Sequence, residues 1–530
     1  MKKNIRFLLS FIIFICSAAS LFPQNNELVV TFGGSELSLD PHHTYTSSEA
    51  QFNTAIYEGL VVYDPLTLAP RPGAAANWNI SDDKKTYTFF LRGNARYWDG
   101  TRVTAYDFRD SWLKLLNPEE KAEYSFLLDS IEGAKDYRTG KTSTPEKVGI
   151  RALSDQELEI RLTSPAAHIL KILCHHSFVP IHPSLIDKND WSQYSSAPGN
   201  GPFYIIKQTE EEILLRKNEL YWDAKNVNLS GIRVLKSQDY EEHTRLFNEG
   251  ILHWAPSGVI LTEIKDTQAI VSNPLFSSSY FYFFCRKEPW SIPQVRRGLT
   301  LLLPWDQIRT EEHQFIPAAT LVPEIPSYPE VTGIPAQNTD EGLQLLEEAG
   351  FPAGTGLPSI VIKIPGDFES RRISRIMKSA WEELLETDVV IQEFGYPDYY
   401  EELQNSEYTL GTMTWIGDFA DPLTFLQLWT RDSNLNDAGY SDDTFENLVQ
   451  LSMEQEGEKR YTTLSEAEEY LLSEAVVLPI SHEPAWNTID LSAIRGWYPN
   501  PLDIHPFKFI SFAEDTLPPG VVRLLEREKH

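Results

Sequence analysis

Strand-like and helix-like hydrophobic patterns alternate in short runs along all 530 residues, and nothing repeats at a fixed interval. A helix buries residues three and four apart, whereas a half-buried strand buries every second one. A chain that keeps switching between these periods builds mixed α/β layers rather than a solenoid or a coiled coil. Leu158, Ile160 and Leu162 alternate with Glu157, Glu159 and Arg161, and Tyr87, Phe89 and Leu91 alternate within YTFFLR; both read as strands with one wet face. Thr104 followed by Asp107 predicts a capping box opening a helix, with Phe108, Trp112 and Leu116 on its inner side. Ile373, Ile376, Met377, Ala380 and Leu384 predict a second amphipathic helix, and DVVIQEF the strand after it. Breaks rich in Pro and Gly fall at Ala69–Gly73, Ala197–Pro202, Ile316–Pro335 and Pro352–Pro358. The third of these predicts a surface excursion, and the charged stretch Pro518–His530 a peripheral appendage.

The first twenty residues read as a secretory signal. Lys2, Lys3 and Arg6 precede the apolar run FLLSFIIFIC, and small residues follow from Ser17 to Ser20. That run is shorter than the ~20 apolar residues a membrane-spanning helix needs. Cys16 offers a site for a lipid anchor, although Ile15 before it is bulkier than the residue such signals usually place there. No later segment is long and apolar enough to span a bilayer, so the expected mature body is soluble, exported and periplasmic. The full chain's net charge of −30 argues against nucleic acid or an anionic lipid surface as partner, since both require basic patches. Cys174 and Cys285 lie in apolar stretches and are expected to be buried free thiols.

Catalytic signatures are missing from the chain. No nucleophile elbow, phosphate loop, dinucleotide fingerprint, CxxC or HExxH frame occurs. His42, His43, His175, His176 and His182 lack the i, i+4 spacing of helical chelators and read as core or hinge histidines, with no metal and no cofactor expected. The segment WIGDFADP holds two aspartates with different expected roles. Asp421 before Pro422 reads as a helix N-cap and is structural. Asp418 stands among Trp415, Ile416, Gly417 and Phe419, where an ionised carboxylate is costly unless a cation meets it.

Several stretches together resemble the extracytoplasmic peptide-binding proteins of ABC importers (family 5 solute-binding proteins). They are LDPHHTYTSSEAQFNTAIYEGLVVYD, PRPGAAANWNISDDKKTYTFFLRGNARYWDGTRVTAYDFRDSW, NGPFYIIKQTEEEILLRKNELYWD, LLEEAGF and WIGDFADPLTFLQLW, in the family's order. WDG, SDDKK and Asn200-Gly201-Pro202 among them are turn chemistry that identifies a scaffold. The resemblance implies a two-lobed type II periplasmic-binding fold of α/β class with an additional α+β domain. The first lobe is expected from Asn26–Tyr57, Asp187–Tyr280 and Arg495–His530, the additional domain from Glu58–Ile186, and the second lobe from Phe281–Ile494. It implies a monomer without catalysis that closes on a peptide and delivers it to an ABC permease with a cytoplasmic ATPase. It also implies that Asp418 pairs the ligand's α-ammonium, that Tyr45, Thr46, Ser47 and Thr414, Trp415, Ile416 supply strand edges, and that Tyr124 and Phe126 line the opposite wall. Thr412 stands where some relatives place an arginine for the ligand carboxylate. Two alternatives share the fold: a binder of a nickel chelate, haem or other small solute, and a peptide-holding chaperone or adhesin.

Overall fold

The computed structural model describes residues 26–513 apart from 35–36, 45, 167, 189–190, 192–196, 311–315, 396–397 and 406. The signal segment with Cys16, Tyr45 and the tail from Pro518 lie outside the described residues. Among those described, no helix is long and apolar enough to cross a membrane.

Three sheets organise the chain. The first has seven strands, and its centre is Glu27–Phe32, which runs parallel to both Gly231–Leu235 and Trp254–Ser257. Leu28, Val30, Phe32, Ile232, Val234 and Trp254 project from it into one core. The second sheet has six strands, with Ser277–Phe283 held between Val477–His482 and Leu410–Ile416. Its outer strands Ile360–Pro365 and Val389–Phe394 are parallel, joined by the helix Phe368–Leu384, because a parallel pair requires a crossover. The predicted apolar stripe is present: Ile373 and Met377 are buried and Ile376, Ala380 and Leu384 half-buried, with Trp381 extending it. A third, four-stranded sheet carries Thr86–Leu91 and Glu157–Arg161 side by side, each burying alternate residues as their patterns predict. Against it lies the helix Ala105–Leu115, opened by the predicted Thr104–Asp107 capping box, with Phe108, Trp112 and Leu116 fully buried.

The chain passes between the seven- and six-stranded sheets at Leu275–Phe276 and again at Glu483. The sheets therefore divide the lobes at these points, not at 280/281 and 494/495. Ser277–Tyr280 belongs to the second lobe, and Pro484–Ile489 returns to the first. Both crossings run almost directly from strand to strand, so neither carries the Gly/Pro-rich break by which boundaries are recognised in sequence.

The stretch after Ile316 also differs from expectation. Leu321 and Val322 are buried, and their N–H groups both donate to Oε1 of the fully buried Glu468 (2.8 and 2.9 Å), while Tyr328 donates to Oε2 (2.9 Å). A carboxylate more than a hundred residues away pins this segment, a contact that no local pattern announces.

The four-stranded domain reaches across to the second lobe. Tyr63 donates to the Asp418 carbonyl (2.8 Å), Lys171 to that of Ala420 (3.2 Å), and Arg138 bridges Asp129 and the Asp432 carbonyl. These contacts close one side of a cleft whose floor is the Leu410–Ile416 strand.

Candidate functional site

The Leu410–Ile416 strand pairs along its length with Ser277–Phe283, but on its other edge it meets Ile360–Pro365 only at Leu410. Beyond that point the Tyr399 hydroxyl covers the edge at Thr412, accepting from its N–H (2.9 Å) and donating to its carbonyl (2.8 Å). Main-chain groups alternate between the two edges of a strand. The N–H and C=O of Thr414 and Ile416 therefore face the same edge, which is open among the described residues, and both residues line a cleft with a cavity volume of about 260 Å³. Thr412 itself is buried, its hydroxyl donating to the Tyr280 carbonyl.

Asp418 stands at the end of this edge. Gly417 before it has no room for a side chain: a Cβ would come within 2.6 Å of the Phe276 ring and 2.8 Å of the Thr424 methyl. The Thr424 hydroxyl accepts from the Asp418 N–H (2.9 Å) and donates to its Oδ2 (3.2 Å), which aims the carboxylate. Oδ1 lies 3.6 Å from His175 Nε2, and both side chains are buried. Burial pushes the Asp418 carboxyl up to about 8, and hydrogen bonds from Thr424, its own N–H and Tyr124 offset only part of that. Burial likewise pushes His175 down to about 3, so the imidazole beside the carboxylate is neutral and supplies no counter-charge. Among the described residues no Lys or Arg pairs with Asp418.

Asp421 is structural, as its place before Pro422 suggests, but by a different means. Its Oδ1 accepts from the Leu423 N–H (3.1 Å), yet its main partner is Arg460, bound through both oxygens at 2.7 and 2.8 Å with both residues buried. Burial alone would raise its carboxyl; the Arg460 charge overrides this and holds it below the usual range.

The opposite wall departs from expectation in part. Thr46 and Ser47 line the cleft, but not as a strand edge. Thr46 is the N-cap of the helix Ser47–Ile56, and its N–H is taken by Glu49 Oε2 (3.1 Å). The Thr46-x-x-Glu49 spacing is itself a capping-box signature that announces this helix start. Tyr124 lines the cleft, its ring 4.2 Å from His175 and 6.5 Å from Trp415, whereas Phe126 is buried in the core and is not among the lining residues. Several lining residues escaped the sequence reading, His175, His176, Lys508 and Asn53 among them. His175 and His176 belong to the wall. Lys508 is tied to buried Glu58 (2.6 Å) and so brings no free cation. Asn53 is 1% exposed, and neither its amide oxygen nor its nitrogen finds a partner among the described residues. An asparagine in the middle of a helix is a weak helix former, and that was the one local hint of a role beyond folding. His42 meets Ser111 (3.2 Å) and His182 lies 3.3 Å from Asp99. Among the described residues no group of three or more His, Cys, Asp or Glu converges as a metal would require, and Cys174 and Cys285 are free.

Comparison with known proteins identifies the fold and the family. An oligopeptide-binding protein of Bacillus subtilis (strain 168) is 28% identical over 440 residues, covering 78% of this chain and 79% of its own. A periplasmic oligopeptide-binding protein of Borrelia burgdorferi superposes with a TM-score of 0.82 at 25% identity, over 92% of this chain and all of its own. The Haemophilus influenzae oligopeptide-binding protein in complex with RPPGFSPFR superposes with a TM-score of 0.81 at 22% identity, over 92% and 99%. The family model described as bacterial extracellular solute-binding proteins, family 5 Middle, matches residues 69–437, a span that runs from the four-stranded domain past the open strand edge and Asp418. With two lobes, a cleft between them and a match over most of its length, the chain belongs to the bacterial extracellular solute-binding proteins of family 5.

Proposed function

We propose that this chain captures peptides outside the cytoplasmic membrane, binding their free amino terminus at Asp418, and delivers them unmodified to an ABC permease driven by a cytoplasmic ATPase. It acts as a monomer, soluble or tethered through Cys16. The observation that carries the reading is a buried carboxylate without a cation at the end of an open strand edge. A peptide supplies both missing partners: an α-ammonium for Asp418, and main-chain donors and acceptors for Thr414 and Ile416. The unpartnered amide of Asn53 matches a further peptide group. Closure about the two strand crossings at Leu275–Phe276 and Glu483 encloses the ligand.

Ligand released from the purified protein by denaturation and identified by mass spectrometry is expected to be peptide with a free amino terminus. In titration calorimetry N-acetylation of such a peptide weakens binding far more than amidation of its carboxyl end, since Thr412 brings no charge to that end. A released ligand without a primary amine, or equal affinity for acetylated and free peptides, overturns the reading.

Capture is also expected to depend on pH. The ligand-free carboxyl is protonated below about 8 and must ionise to receive an ammonium, so affinity falls roughly tenfold per pH unit below that point. Above it the peptide amine, with an ordinary pKa of about 7.7–8.0, loses its own charge. Affinity therefore peaks near pH 8, and at pH 7 binding releases most of one proton, measurable as a dependence of calorimetric heat on buffer ionisation enthalpy. An affinity flat from pH 6 to 8 contradicts the assignment of Asp418.

A further inference from the structure

The peptide reading, on which this inference rests, sets a register along the open edge. With its amino terminus at Asp418, the ligand runs antiparallel to Leu410–Ile416, and its first three residues lie opposite Ile416, Trp415 and Thr414. Residues directly opposite in an antiparallel pair share a face. The second ligand side chain thus projects on the Met413–Trp415 face and the third on the Thr414 face.

The two faces offer different chemistry. Beside Thr414 is a large cavity of about 520 Å³ that holds both signs of charge, with Arg309, Arg372, Asp367 and Glu483 on its walls. Little selectivity by charge follows from such a lining. Beside Trp415 is a small cavity of about 70 Å³, bounded by Tyr280, Met413, Trp415, Trp429, Asp437 and Glu123, the last engaged by His43 at 3.5 Å, with no Lys or Arg on its walls. Tyr280 packs edge-on to Trp429, ring centres 5.5 Å apart at 62°. The Asp437 carboxylate has no ion-pair or hydrogen-bond partner among the described residues, although Arg286 acts on it from a distance. Asp437 lines the same cavity as Tyr280 and Tyr282. A water-sized group needs roughly 10–15 Å³ of such space, so the cavity of about 70 Å³ takes a narrow chain of about five to seven heavy atoms.

We propose that this cavity selects a lysine-type side chain at the second peptide position, its methylenes against Met413 and Trp415 and its ammonium between the rings of Tyr280 and Trp429 and the Asp437 carboxylate. Aromatic faces attract a cation that has left water, and the half-buried Asp437 carboxylate gains a charged hydrogen bond. A guanidinium side chain has two more heavy atoms and ends in a broad planar fork, so it fits less well.

The test is calorimetry with Ala-Lys-Ala, Ala-norleucine-Ala, Ala-Arg-Ala and Lys-Ala-Ala against wild type and Asp437→Asn. In wild type, Ala-Lys-Ala is expected to bind about 10–100-fold tighter than its norleucine analogue, which lacks the ε-ammonium, from one desolvated cation–π contact and one charged hydrogen bond. Lys-Ala-Ala should gain no such advantage over Ala-norleucine-Ala. Asp437→Asn should reduce the lysine preference to about threefold or less while leaving Ala-norleucine-Ala unchanged, which also shows that the variant is folded. Equal wild-type affinity for the lysine and norleucine peptides, both being bound, overturns the pocket and leaves peptide capture standing. Binding of none of these tripeptides overturns the capture reading and this inference with it.

Discussion

Asp418→Asn is expected to weaken capture of free-amine peptides by roughly two to four powers of ten, while the ligand-free protein unfolds no more easily than wild type. The first half follows from what the substitution leaves behind: an α-ammonium enclosed in the cleft with no counter-charge, since His175 is neutral there. Breaking a buried pair in this way costs about 3–5 kcal/mol. The second half follows from the raised pKa. In the unfolded chain the carboxyl ionises near 3.9, and in the folded protein only near 8. Ionisation thus favours the unfolded chain across that window, and the stability of the ligand-free protein is lost as pH rises through it. Asparagine removes that loss and keeps an oxygen for the Thr424 hydroxyl. N-acetylated peptides, which bring no charge, should bind wild type and variant within a few-fold of one another. If Asp418→Asn weakened acetylated and free peptides equally, the residue would be holding the loop rather than the ligand.

Asp421→Asn should do the opposite, lowering stability by about 3–5 kcal/mol with a much smaller effect on binding. The change looks mild for a residue before Pro422, because asparagine is an equally good helix cap. The ion pair with Arg460 makes it severe: a buried guanidinium loses its counter-charge, and its Nε already has no partner among the described residues. The cost belongs to the charge left over rather than to the contact itself. A second variant, Asp421→Leu with Arg460→Met, removes both charges and should be more stable than Asp421→Asn. Chemical unfolding of the ligand-free proteins, followed by tryptophan fluorescence, measures both. A single variant as stable as wild type would return Asp421 to the role of a simple cap.

The two aspartates lie three residues apart, and they mark where sequence reasoning reached and where it stopped. Features that depend on neighbours within one turn or one strand were legible: the Thr104–Asp107 capping box, the alternation through Glu157–Arg161, the stripe along Phe368–Leu384. So was the conflict between the carboxylate of Asp418 and its apolar neighbours, because that conflict is written in adjacent residues. The Thr46-x-x-Glu49 cap was equally local, and the strand-edge expectation for that segment overlooked it.

What decided the rest is separation along the chain. Arg460 meets Asp421 from a helix 39 residues on, Glu468 pins Leu321 and Val322, and Tyr399 covers the edge at Thr412 from a neighbouring helix. The Asp437 carboxylate joins Tyr280 and Trp429 only once the Ser277–Phe283 and Leu410–Ile416 strands are paired. Hydrophobic period and capping chemistry are set by the geometry of a single element, and a sequence displays them directly. Which buried charge finds a partner and which is left for a ligand depends on how distant elements pack, and one residue's surroundings in sequence carry no record of that.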